Sequence, residues 1–215
     1  MPIKAIINPV TPFAQNAPII FCTETKKCAF IDPGGDSEKL LSIAMENNLI
    51  PEKIFLTHGH ADHAGAAMEI AEILNIKIEG PHQEDKFLLD SLQSQGEMFG
   101  MSARNCMPDK WLVDGDKVYL GNEELDVIFT PGHTPGHIVF FNAASKLALV
   151  GDVIFNGSIG RTDLPRGNHQ DLIDSISQKL WKLGNDVEFV CGHGPNSTFG
   201  QERESNPFVS DTALS

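Results

Sequence analysis

Thr57-His58-Gly59-His60-Ala61-Asp62-His63 is the stretch on which the reading of this chain turns. It begins where the run Lys53 to Thr57 predicts a strand, and it ends where helical spacing starts, over Ala64 to Leu74. In extended backbone, residues two apart point the same way. His58 and His60 are therefore placed to bind one ion together. Asp62 and His63 fall at the turn into the helix and can face a second ion nearby. Imidazole and carboxylate donors suit Zn²⁺, with Fe or Mn as substitutes. Gly59, Ala61, Ala64 and Gly65 leave room around them. Burying three imidazoles and a carboxylate together with no metal would be costly.

Four donors do not close two metal sites, and the rest of the chain offers more. His133 follows the strand predicted over Leu125 to Thr130. Asp152 follows the one over Leu147 to Val150, and His193 the one over Val187 to Cys191. Each of the three has a glycine immediately before it, Gly132, Gly151 and Gly192, which lets backbone turn tightly and approach closely.

Around these residues, strands and helices alternate. Ile6-Ile7, Pro18 to Cys22 and Cys28 to Ile31 read as short strands, and Asp32-Pro33-Gly34-Gly35 as the turn that ends the third. Asp36 is placed to cap a helix reaching about Asn47. Ile76 to Glu79 is a further strand. Val118 to Leu120 and Leu125 to Thr130 flank Gly121-Asn122 as a hairpin, and Ile138 to Phe141 is a strand. A helix capped by Asn168 runs from His169 to Lys182. The stretch Glu84 to Trp111 starts helical and turns irregular; it reads either as a packed excursion or as a lip over a pocket, rich in adaptable Met and aromatic side chains. This order predicts two packed sheets with helices outside, a four-layer α/β architecture. No linker divides it, so residues 1–215 read as a single domain.

The 215 residues carry a formal net charge of −13, which argues against nucleic acid and anionic membranes as partners. The start, Met1-Pro2-Ile3-Lys4, lacks the apolar core of a signal peptide. Cys22, Cys28, Cys106 and Cys191 form no CxxC pair and read as reduced and mostly buried, which suits a cytoplasmic protein. Cys22 and Cys28 flank a turn and could face each other across a hairpin.

The segments His58-x-His60-x-Asp62-His63, Pro131-Gly132-His133-Thr134-Pro135-Gly136-His137, Gly151-Asp152 and Gly192-His193 resemble the metallo-β-lactamase superfamily in order and spacing. Within it they look most like the glyoxalase II (hydroxyacylglutathione hydrolase) branch, particularly its shorter bacterial relatives. Asp32-Pro33-Gly34-Gly35, Gly160-Arg161-Thr162-Asp163 and Glu202-Arg203-x-x-Asn206-Pro207 extend the likeness over most of the chain. The resemblance implies a four-layer αββα metallo-β-lactamase sandwich holding two Zn²⁺ ions, with Fe or Mn possible. His58, His60 and His133 would bind the first ion, and Asp62, His63 and His193 the second. Asp152 would bridge them, unlike the β-lactamases that place a Cys in the second site. Asp32 and His137 would support the ligands from behind.

The implied activity is hydrolysis of a small-molecule thioester, an S-acylglutathione such as S-D-lactoylglutathione, by a metal-bridging hydroxide. Asp62 and Asp152 would be the catalytic carboxylates. Arg161 reads as an ion-pair partner of Asp163, and Arg166 is open to a substrate carboxylate. His82 and His169 read as surface residues. Full-length glyoxalase II enzymes continue into a helical domain that helps bind glutathione; the chain stops at residue 215, so a short form without it is expected. Two other activities share these motifs. A persulfide dioxygenase would hold one iron through His58, His133 and Asp152. A lactonase would run the same hydrolysis on an oxygen ester.

Overall fold

A computed structural model describes residues 2–215. The first sheet has five strands in chain order: β1 (Ile3–Ile6), β2 (Ile19–Cys22), β3 (Lys27–Ile31), β4 (Ile50–Phe55) and β5 (Lys77–Glu79). It opens as an antiparallel meander and becomes parallel from β3 to β5. The second sheet has six: β6 (Lys117–Leu120), β7 (Glu123–Phe129), β8 (Ile138–Asn142), β9 (Leu147–Gly151), β10 (Glu188–Cys191) and β11 (Ser197–Thr198), again adjacent in chain order. Only the β9–β10 pairing is parallel there.

The alternation of side chains along these strands builds the layers. On the first sheet Ile20, Ala29, Ile31 and Phe55 point inward. They meet Ile138, Phe140, Leu149 and Val190 of the second sheet, and Phe55 stacks on Phe140 at 5.0 Å. Their neighbours Ile19, Phe30 and Ile54 point the other way. They pack under α1 (Ser37–Glu46), α2 (Ala61–Ala64) and α3 (Ala67–Leu74). On the second sheet Val139, Phe141, Val150 and Phe189 face outward onto a helical segment that begins at His169. The central strands of each sheet are thus covered on both faces and read as continuous apolar runs for that reason, whereas the β6–β7 hairpin leaves Lys117, Tyr119 and Glu124 exposed on its outer face. Two sheets back to back with helices outside each are the four-layer αββα sandwich that the order of elements predicted.

Several local features depart from the sequence reading. The helix expected over Ala64 to Leu74 starts earlier and breaks into α2 and α3, because the Asp32–Gly35 turn wedges against the break: Ala66 N–H donates to Pro33 O at 2.9 Å. Asp36 precedes α1 in a left-handed conformation and does not cap it; its Oδ2 accepts from Thr11 N–H at 3.0 Å instead. The stretch Glu84 to Trp111 carries α4 (Lys86–Leu89) and α5 (Leu92–Phe99) before turning irregular. The C-terminal helix expected over His169 to Lys182 is α6 (His169–Asp174), continued by one π turn and a 3-10 turn as far as Leu183. Beyond β11 lies α7 (Phe199–Ser205), which the sequence reading did not contain. Its buried Glu202 accepts from Gly157 N–H at 2.8 Å and bonds to Ser197 Oγ. All four cysteines are free and buried, so no Cys22–Cys28 bridge forms. No helix among the described residues is long and apolar enough to cross a membrane.

Asn168 does cap α6. Its side-chain oxygen accepts from Gln170 N–H at 2.9 Å and Asp171 N–H at 3.2 Å. Asn168→Ala is expected to cost about 1 kcal/mol. The check is a urea titration, in which the midpoint should fall while the slope stays unchanged.

Candidate metal centre

The loop after β4 carries His58 and His60, and α2 carries Asp62 and His63, at the end of the first sheet. Strands β7, β9 and β10 of the second sheet end just before His133, Asp152 and His193. The fold brings all seven to one end of the sandwich. Two clusters result: His58, His60 and His133, and Asp62, His63 and His193. In the first, His60 Nδ1 lies 3.1 Å from His58 Nε2 and 3.0 Å from His133 Nε2. In the second, His193 Nε2 lies 3.3 Å from Asp62 Oδ2, and His63 Nε2 lies 3.8 Å from it. Asp152 stands between the clusters. Its Oδ1 is 3.3 Å from His63 Nε2, and its Oδ2 is 3.7 Å from both His133 Nε2 and His193 Nε2.

Four of the five imidazoles are tied on their outer nitrogen, which turns the other nitrogen inward. His133 Nδ1–H donates to Arg161 O at 2.7 Å. His193 Nδ1 meets Phe13 O at 3.3 Å. His63 Nδ1 faces Asp32 Oδ2 at 3.1 Å. Thr57 Oγ1–H donates to the same Asp32 oxygen at 2.6 Å, so the hydroxyl oxygen is left to accept from His58 Nδ1–H at 3.0 Å. Asp32 also accepts from Thr57 N–H at 2.7 Å. Its oxygens are thus engaged in aiming His58 and His63. His137 is fully buried, stacks on His58, and accepts from Asp152 N–H on Nε2 at 3.2 Å. It sets the backbone of Asp152 and points nothing at the clusters.

Protein charges divide these groups into two kinds. Burial, reinforced by the neighbouring imidazoles, holds His58 well below the usual histidine range and takes His60 down to about 3. Burial also lowers His133. Burial alone would lower His63 too, but the carboxylates of Asp152 and Asp62 outweigh it and raise His63 well above its ordinary value. Asp152 feels the same pairing from the other side; despite burial, His63 keeps its carboxyl far below the usual carboxylate range.

The arrangement fits a metal. His63 Nε2 and Asp152 Oδ1 are both buried, and neither has a hydrogen-bond partner. Unpaired buried polar atoms facing one point are the expected state of ligands. The 3.0–3.1 Å separations among the three imidazole nitrogens are also close to the spacing of roughly 3.3 Å that two donors take on one tetrahedral ion with bonds of about 2.0–2.1 Å. The two clusters are consistent with a dinuclear site.

One side of the site opens on a cleft of about 440 Å³. Phe13, Phe99, Phe155, Ile159 and Leu164 line its wall, with Gln95, Ser158 and Arg161 among the polar groups. Phe99 belongs to α5, so the Glu84–Trp111 excursion does form part of the lip. Arg161 is held by Asp163 in two bonds of 2.7 Å, as the sequence suggested. Arg166 is tied to Glu84 at 2.6 Å and lies over the Phe87 ring. His82 is less superficial than expected, its ring tilted at 44° against that of Phe129 with centroids 4.5 Å apart, whereas His169 is exposed.

Among the residues that the sequence did not single out, Gln95 and Asp85 touch the ligand loops. Gln95 Oε1 accepts from Ala61 N–H at 3.1 Å. Asp85 is fully buried and accepts from Gly59 N–H, Thr134 Oγ1–H and Gly136 N–H at 2.9, 2.8 and 2.5 Å. Burial pushes its carboxyl up to about 6 against the pull of these donors. Nothing local marks either residue, since the ligand-loop groups they hold lie tens of residues away.

Two sheets, seven convergent His and Asp side chains and the match of residues 10–193 to the Metallo-beta-lactamase superfamily place the chain in that family. It is a metallo-hydrolase, 44% identical over 205 residues to the hydroxyacylglutathione hydrolase GloC of Haemophilus influenzae, across 94% of this chain and 96% of that protein. Among solved structures, the BLEG-1 B3 metallo-beta-lactamase aligns with a TM-score of 0.87 at 33% identity, over 96% of this chain and 99% of that one. TTHA1623 in a di-iron-bound form aligns at 0.86 and 32% identity, over 95% of this chain and 100% of that one.

Proposed function

We propose that residues 1–215 act as one domain that hydrolyses an S-acylglutathione, such as S-D-lactoylglutathione, to the free acid and glutathione. In this reading His58, His60 and His133 hold one ion, Asp62, His63 and His193 hold a second, and Asp152 contacts both. The observation that carries it is the position of Asp152 between the clusters: its buried, unpaired Oδ1 faces His63, and its Oδ2 faces both His133 and His193. Zinc suits the donor set. Iron is the first alternative, given the di-iron form of TTHA1623. The similarity to GloC over nearly the whole chain supports the substrate class.

Ions bound there would polarise the acyl carbonyl and bring the pKa of a water toward about 7. The chain's own residues do the rest. Arg161 O, Thr57 and Asp32 fix the tautomers of His133, His58 and His63, so that their lone pairs stay aimed inward. Asp62 is partly open to the cleft and can accept a hydrogen bond from a water and orient it. The apolar wall excludes bulk water from the acyl group. Apart from the ligands themselves, the described cleft residues include no side chain suited to protonate a leaving group near neutral pH. A thioester does not need one, because a thiolate with an unperturbed pKa of about 8.5 leaves unaided. That favours thioester over amide hydrolysis.

The test pairs elemental analysis of the purified protein with hydrolysis of S-D-lactoylglutathione. About two ions per chain and glutathione release are expected. One iron per chain, no hydrolysis, and oxygen uptake on glutathione persulfide would replace this reading with the dioxygenase.

A further inference from the structure

Asp85 takes no part in the chemistry just described, yet it touches both loops that build the three-imidazole cluster. Gly59, which donates to its Oδ2, stands between His58 and His60. Thr134, which donates to the same oxygen, directly follows His133. Gly136 donates to Oδ1 from the same loop, and His82 N–H returns a bond to Gly136 O at 3.1 Å. One loop leaves the first sheet and the other leaves the second, and Ile138 N–H to Thr57 O at 2.9 Å is a further link between them. The contact is close enough to exclude side chains. A Cβ on Gly136 would lie 2.4 Å from Asp85 N, and one on Gly59 would lie 2.7 Å from Leu88 Cβ.

The geometry points to Asp85 as a positioning residue for the metal cluster: by bonding to both loops at once, it sets the distance between the His58–His60 pair and His133. This rests on the reading of that cluster as a metal site. A carboxylate is the side chain the position requires, because three donors converge on it from two directions. An asparagine offers one acceptor oxygen, and its NH₂ would face either Gly136 N–H or the Gly59 and Thr134 donors. The clamp would open on the side where donors meet, and the imidazole spacing would relax with it.

The experiment titrates Co²⁺ into the metal-stripped full chain and follows the visible absorption bands, which report ligand geometry apart from turnover. Asp85→Asn is compared with the parent, with His133→Ala and with His193→Ala. Asp85→Asn should weaken one of the two binding events by about 10- to 100-fold, and its spectral change should resemble that of His133→Ala rather than His193→Ala. Thr134→Val, which removes one donor at constant shape, should give a smaller loss of the same kind. Thr134→Ser, which keeps the hydroxyl, should restore the parental curve. Parental affinity and spectrum in folded Asp85→Asn would overturn the proposal. Should Asp85→Asn not fold, a parental curve for Thr134→Val would overturn it equally. If the parent itself binds no Co²⁺, the metal-site reading fails first and takes the proposal with it, a result distinct from normal binding in the variants.

Discussion

Asp152→Ala is expected to lower kcat/KM for S-D-lactoylglutathione by more than about 10³-fold, equivalent to roughly 4 kcal/mol of transition-state stabilisation. It should also leave the purified chain with fewer metal ions than the parent. The carboxylate faces both clusters, at 3.3 Å from His63 and 3.7 Å from His133 and His193. On the proposed reading, its removal takes a donor from each cluster and leaves three imidazole nitrogens facing a gap. His137 would still prop the backbone at residue 152, so the loop should keep its course. Elemental analysis and steady-state kinetics on one preparation check both halves of the expectation. Turnover within tenfold of the parent and an unchanged metal content would remove Asp152 from the mechanism.

Gly192→Ala is expected to have a comparable effect on the site by adding a single methyl group. The new Cβ would lie 2.0 Å from Asp152 Oδ1 and 2.5 Å from His63 Cε1. The backbone has little room to yield. Gly192 N–H donates to Gly151 O at 2.8 Å, and Gly192 O accepts from Asn16 N–H at 2.7 Å. The carboxylate must therefore swing away. Overpacking of this kind costs about 1–3 kcal/mol, and here it also displaces the carboxylate that the proposed site uses as a ligand. Metal content and turnover should fall together, with a lower thermal midpoint. Gly194→Ala is the control. No atom stands within 4 Å of its would-be Cβ, and the substitution pays only for a left-handed backbone, φ +79°. That cost is about 1–2 kcal/mol, with metal content unchanged. Equal metal loss in the two variants would show that backbone strain, not contact with Asp152, is responsible.

The seven convergent residues were legible because their signals are local. His58 to His63 fall within one strand-to-helix turn, and His133, Asp152 and His193 each follow a glycine at the end of an apolar run. The layers were legible for a similar reason, since strands covered on both faces leave continuous hydrophobic stretches between turns. Asp85 and Gln95 were not. Each bonds to backbone groups brought near only by the finished fold, and an aspartate at the start of a helical turn looks like any other first-turn acid. The break between Ala64 and Ala67 was hidden as well, because the Asp32–Gly35 turn that imposes it lies about thirty residues earlier. At the C-terminal end, a two-residue strand and a seven-residue helix are too short to show a period.

The division of the seven side chains between the two sheets bears on the order of events during synthesis. The ribosome releases His58, His60, Asp62 and His63 first, and this early quartet lacks His133, Asp152 and His193 until the second half of the chain has emerged and docked. Loop closure over that span is slow relative to local helix and hairpin formation. Tight metal capture is then a late event that reports completed docking. Because an ion held there favours the docked state over every open one, chelation should loosen the seam between the sheets rather than merely silence a pocket.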